Sequence, residues 1–97
     1  MSLQSKDVLA LLSRERETLE KRFSVQRIGL FGSVLRGTAG EDSDVDILVE
    51  LSQPTFDHYM DLKFFLEARL GRTVDLVLAD SLKPRVKTSV LREATYV

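Results

Sequence analysis

The sequence has no cysteine and a single histidine. Without thiols there is no disulfide framework and no thiolate metal site. One imidazole is too few for the usual zinc sites, which gather several Cys or His ligands. The absence of cysteine suits a reducing compartment. No run of about eighteen apolar residues exists, so no membrane span is expected. The first residues, "MSLQSKDVLALLSRERETLEKRF", lack a basic leader region, a long apolar core and a small-residue cleavage site. They read as part of the fold of a cytoplasmic protein. Neither sign of charge is in excess: 14 Lys and Arg stand against 15 Asp and Glu, a net charge of −1. That argues against direct nucleic-acid binding, which draws on a basic surplus. It leaves room for a nucleotide held through metal ions. Repeats, low-complexity tracts and interdomain linkers are missing too.

What remains is a chain of 97 residues, 43% hydrophobic and 30% charged. This composition argues against disorder and suits one domain spanning residues 1–97. Val8, Leu9, Leu12, Leu19 and Phe23 recur at helical spacing and predict an amphipathic helix over Ser5–Phe23, with Arg14–Glu17 mostly toward solvent. Val25–Phe31 reads as a short strand with Ile28 and Leu30 on one face. Gly32-Ser33 ends it, and a helical turn over Val34–Arg36 closes at Gly37. "TAGEDS" is a polar loop. Val45–Leu51 is apolar at nearly every position and predicts a central strand covered on both faces. Phe56–Leu70 predicts a long helix with Tyr59, Leu62, Leu66 and Leu70 in one stripe, ended by Gly71. Thr73–Leu78 is a third strand. A final helix is expected over about Leu82–Ala94, with Pro84 tolerated in its first turn. The alternation predicts an α/β layer structure on a small sheet.

The chemistry concentrates in "GLFGSVLRGTAGEDSDVDILVEL", Gly29–Leu51. Asp44 and Asp46 are two apart, so on a strand both carboxylates face the same way, about 7 Å apart. They repel each other unless a cation sits beside them. Mg²⁺ or Mn²⁺ is the natural choice, being held by a few carboxylates plus substrate phosphates. The plainer reading is a pair of turn aspartates. Asp75 interrupts the apolar run "RTVDLVL", where a charge is unexpected. It either joins Asp44 and Asp46 on a neighbouring strand or faces solvent from an edge. Three carboxylates can hold two metals about 4 Å apart, the arrangement used for phosphoryl or nucleotidyl transfer. Upstream, Gly32 and Ser33 offer close backbone approach and a hydroxyl to a phosphate. Ten residues separate Ser33 from Asp44, and one separates Asp44 from Asp46.

This Gly-Ser, ten-residue, Asp-x-Asp pattern resembles the signature of the nucleotidyltransferase superfamily that includes DNA polymerase beta. Arg36-Gly37, Ser43-Asp44 and the tail "LKPRVKTSVLREATYV" look like the minimal nucleotidyltransferases, in particular the antitoxins of HEPN/MNT toxin–antitoxin systems. The resemblance implies an α/β (α+β) fold: a mixed three-stranded sheet with helices packed against it. It implies that Gly32 and Ser33 hold the triphosphate of ATP, that Asp44 and Asp46 bind two Mg²⁺ ions, and that Asp75 is the third carboxylate, which would activate the attacking hydroxyl. It implies a HEPN-type ribonuclease toxin as partner, with AMP passed to a toxin tyrosine. Leu35 stands where the resemblance would place a smaller residue such as Ala.

Other residues stay open between two readings. Arg36 either pairs with a phosphate through its planar fork of donors or is a solvated loop cation. Lys83, Arg85 and Lys87 crowd the start of the last helix, where the dipole disfavours cations unless an anion is near; they contact phosphate or partner, or form a solvated face. His58 reads as a surface residue. Tyr96 either packs back on the sheet or lies at an interface. Phe64 and Phe65 widen an apolar stripe that suits a partner surface or the core. Two rival functions compete with the enzyme that modifies a toxin. One is a binding module that neutralises its partner without chemistry. The other is transfer to a small molecule, which usually needs an added acceptor domain.

Overall fold

The computed structural model describes residues 3–97. Helix α1, Ser5–Arg14, carries Asp7 in its first turn and Arg14 in its last, each matched to the helix dipole. The single helix expected over Ser5–Phe23 breaks at Glu15, and α2 runs over Arg16–Phe23. The break falls among four consecutive charged residues that offer no apolar anchor. Glu15 lies 3.8 Å from Arg69, and the Arg16 guanidinium donates to the Gln26 carbonyl at 2.6 Å instead of pointing freely to solvent.

Strand β1, Val25–Phe31, is followed by the short helix α3, Gly32–Arg36. Strand β2, Val45–Leu51, pairs antiparallel with β1. Helix α4, Phe56–Leu70, starts where the Thr55 hydroxyl accepts from the His58 N–H and ends at Gly71 in the left-handed region. Strand β3, Val74–Leu78, pairs parallel with β2. One turn of 3₁₀ helix, Ala79–Ser81, leads to α5, Pro84–Glu93, and then to β4, Thr95–Tyr96. The sheet order is β3-β2-β1-β4. It therefore has four strands and not the three expected: the last residues turn back and pair with Gly29 and Leu30.

Alternation along β2 decides where the core sits. Val45, Ile47, Val49 and Leu51 are buried against Leu12, Leu19, Phe23, Leu62 and Leu66 of α1, α2 and α4. The strand is central, as expected, but its opposite face is closed only at Leu48, while Asp46 and Glu50 are half-buried. Helix α4 also satisfies the outer edge of β3. The Tyr59 hydroxyl donates to the Leu76 carbonyl at 2.6 Å, and Glu67 accepts from the Val74 N–H at 2.9 Å. Phe65 packs on Phe23 at 5.3 Å between ring centroids, whereas Phe56 and Phe64 remain exposed. Because β3 and β4 are opposite edges, the Ala79–Ala94 segment must carry the chain across the sheet. Helix α5 has no buried residue among Pro84–Glu93. No described helix is long and apolar enough to cross a membrane.

Candidate functional site

The end of β1 builds the first half of the site. Gly32 has φ of +77°, a conformation that side-chain-bearing residues rarely adopt. A Cβ there would also fall 2.0 Å from Asp46 Oδ2. Glycine is required twice over, by backbone conformation and by the carboxylate lying against it. The next N–H, that of Ser33, faces the Asp46 carboxyl and favours its charged form. Leu35 turns toward the core rather than into the Gly32-Ser33 turn, so its bulk meets other apolar side chains.

The register between β2 and β3 builds the second half. Asp46 is the direct partner of Asp75, so the two carboxylates lie side by side on the sheet face opposite the core. Burial pushes the Asp46 carboxyl above its ordinary value, and the neighbouring Asp75 charge pushes it further. The adjoining Asp75 carboxyl adds to the rise through side-chain contact, the Ser33 N–H partly offsets it, and the Asp44 charge adds the smallest push. Asp44 lies just before β2, exposed, at the end of a polar loop. That loop is a tight turn: the Gly40 N–H donates to Ser43 Oγ at 2.9 Å. Arg72 staples it to the start of β3, donating to the Ser43 carbonyl at 2.7 Å and the Gly40 carbonyl at 3.2 Å.

Among the described residues no three acidic or imidazole side chains already form a cation cage. Asp46 and Asp75 converge, and Asp44 reaches them through its charge alone. The donor set nevertheless fits a hard divalent cation. It is all carboxylate oxygen, and at its centre burial and a neighbouring like charge penalise ionisation of Asp46, where a cation would balance both charges.

Arg36 is placed beside the Gly32 turn, but its partner is Glu93, the last residue of α5. The same Glu93 oxygen accepts from the Gly32 N–H at 3.3 Å. Glu93 and Arg72 carry no motif and were missed in the sequence; the one available signal for Glu93 is an acidic residue at a helix C-terminus, where the dipole disfavours it. Of the basic residues opening α5, Lys87 pairs with Asp80 at 3.2 Å. His58 serves structure: its Nδ1 lies 2.7 Å from the Gln53 carbonyl and 3.3 Å from Ser24 Oγ. Tyr96 packs back on the sheet, with the Arg27 guanidinium 3.8 Å above its ring.

Comparison with known proteins adds to this geometry. The nucleotidyltransferase domain family matches residues 12–97. Over 98% of this chain and 97% of the relative, the sequence is 45% identical to the protein adenylyltransferase MntA of Thermococcus cleftensis. A solved structure provisionally described as a minimal nucleotidyltransferase superposes with a TM-score of 0.74 at 42% identity, covering 90% of this chain and 93% of that one. A chain from a crystallised toxin–antitoxin complex with AMP-PNP superposes with a TM-score of 0.69 at 27% identity, covering 86% of this chain and 69% of that one.

Proposed function

We propose, from the premise that this chain belongs to the nucleotidyltransferase domain family and is a nucleotidyltransferase, that it transfers AMP from ATP to a tyrosine hydroxyl of a HEPN-type ribonuclease toxin. As such it is the antitoxin of the pair, a single cytoplasmic domain over residues 1–97. The observation that carries the reading is the in-register pairing of Asp46 with Asp75, with the Gly32-Ser33 turn packed onto Asp46. The support for the acceptor being a protein comes from the MntA relative and from the toxin–antitoxin complex that holds a nucleotide analogue.

In this reading Asp44, Asp46 and Asp75 hold Mg²⁺. When bound there, the cation would neutralise phosphate charge and make the acceptor hydroxyl easier to deprotonate. Gly32 and Ser33 hold the β- and γ-phosphates through backbone N–H groups and the Ser33 hydroxyl. Arg36 lends its planar guanidinium to the same phosphates. Asp75 lies on the side from which the tyrosine oxygen approaches. The hydroxyl gives its proton to the Asp75 carboxylate as its oxygen bonds to the α-phosphorus, the bond to the β-phosphate oxygen breaks, and pyrophosphate leaves with the electron pair. The side chains mainly position and neutralise, so no catalytic histidine is needed.

The test is labelled ATP with Mg²⁺ and the candidate toxin. Wild type is expected to move label onto the toxin, and Asp46→Asn, folded, to lose at least about a hundredfold in rate, as loss of a metal-holding group does. Equal neutralisation of the toxin by both proteins with no label moved would instead identify a binding module.

A further inference from the structure

A carboxylate already sits where the proposed function needs phosphate. One oxygen of Glu93 takes the Gly32 N–H and the Arg36 guanidinium. Those are two of the donors assigned to the triphosphate. We propose that Glu93 is an internal stand-in for a nucleotide phosphate, displaced when the triphosphate enters, so that occupancy of the site is read out by the end of α5 and by β4. This inference rests on the reading of Gly32, Ser33 and Arg36 as the phosphate cradle.

Three observations support it. First, Glu93 gains nothing from its own helix. An acidic residue in the last turn faces the negative end of the helix dipole. Its position is explained by the two donors across the site. Second, carboxylate and phosphate oxygens are equivalent acceptors for a backbone N–H and a guanidinium fork. A phosphate entering beside Glu93 would meet both occupied donors and a like charge, so the two anions exclude each other. Third, Glu93 can leave. Its side chain is 34% exposed, and Arg36 is 55% exposed. The residues that follow are lightly held: β4 is two residues long, and the Val97 N–H donates to the Ile28 carbonyl at 3.1 Å.

The contact is made between residues 61 apart in sequence. It ties the C-terminal segment to the strand that ends in Gly32. Release of Glu93 therefore frees one anchor of α5 and weakens the hold on β4.

The experiment measures binding of a non-hydrolysable ATP analogue with Mg²⁺ by calorimetry, for wild type, Glu93→Gln and Glu93→Ala, with thermal unfolding to show that each variant folds. Removing the competing charge is expected to lower Kd about tenfold in both variants. Hydrogen exchange supplies the second readout. The analogue should raise exchange at Thr95–Val97 in wild type, and Glu93→Gln should show the raised exchange without it. Unchanged Kd overturns the inference. Weaker binding by the variants also overturns it, since Glu93 would then be aiming Arg36 at the phosphate. If wild type itself binds no analogue, the cradle reading fails and this inference falls with it. Binding by wild type with no change in the variants refutes the stand-in alone.

Discussion

A methyl group at Gly32 would lie 2.0 Å from Asp46 Oδ2, and Asp46 in turn lies against Asp75 in the next strand. The carboxyl is thus wedged between a backbone and a like charge, and its burial, then the Asp75 charge, raise its pKa above 3.8. A carboxyl raised on folding contributes stability below its unfolded pKa and loses it as pH climbs through the folded value. Asn at this position carries no such loss. In metal-free buffer at pH 7, Asp46→Asn is therefore expected to be more stable than wild type, by a few tenths to about 1 kcal/mol once solvent screening is allowed for. The difference should shrink as pH falls through about 4 and vanish near pH 3, where Asp46 is largely neutral in both folded and unfolded chains. Saturating Mg²⁺ should reverse the order, because only wild type keeps all three of the proposed carboxylate ligands. Thermal unfolding from pH 3 to 8, with and without Mg²⁺, checks this. A variant less stable than wild type at pH 7 without metal would show that Asp46 is not strained by its neighbours.

Strands and loop hold the three aspartates with different firmness. Asp46 and Asp75 are locked by the β2–β3 register, and α4 clamps the free edge of β3 through Tyr59 and Glu67. Asp44 rides on a loop whose shape depends on the Gly40–Ser43 turn and on Arg72. Arg72 reaches these carbonyls from the connection between α4 and β3, so it fastens the loop to the strand that carries Asp75. Removing it leaves the sheet untouched and the loop free. Arg72→Ala is expected to cost about 1 kcal/mol of stability, the worth of one or two hydrogen bonds at a partly exposed site. It should lower nucleotidyl transfer about tenfold and raise the Mg²⁺ concentration for half-maximal rate, since misplacing one ligand weakens the metal site more than the fold. A Mg²⁺ titration of the transfer rate, run beside an unfolding curve, separates the two effects. An unaltered Mg²⁺ requirement would mean that Asp44 is held in place by something else.

Across the molecule, what was legible in the sequence was what is local. The helix Phe56–Leu70 has its cap at Thr55 and its stop at Gly71 written in adjacent residues, and its expected bounds match. Strand β1 was legible from Ile28 and Leu30 on one face, and β2 because Val45–Leu51 is apolar at nearly every position. The Gly32-Ser33 turn and the first two carboxylates follow one another in a single stretch, and Asp75 stood out as a charge in an apolar run. Strand β4 was not legible, since two residues cannot display alternation. Nor was Glu93, whose partners lie across the chain and are brought to it only by the pairing of β4 with β1. That pairing depends on Gly29. A Cβ there would fall 2.8 Å from the Thr95 carbonyl oxygen and 2.8 Å from the Tyr96 ring, so any side chain must push β4 outward. Overpacking of this kind costs about 1–3 kcal/mol, and in a domain this small each kcal/mol lowers Tm by about 4–8 °C. Glu93 precedes β4 by two residues, so the same push should draw its carboxylate off Gly32. Gly29→Ala is therefore expected to melt earlier and yet to bind the ATP analogue more tightly than wild type. General loosening would move both quantities in the unfavourable direction. Opposite signs in one variant would arise only if the C-terminal segment competes with the nucleotide, and a joint fall in Tm and affinity would exclude that coupling.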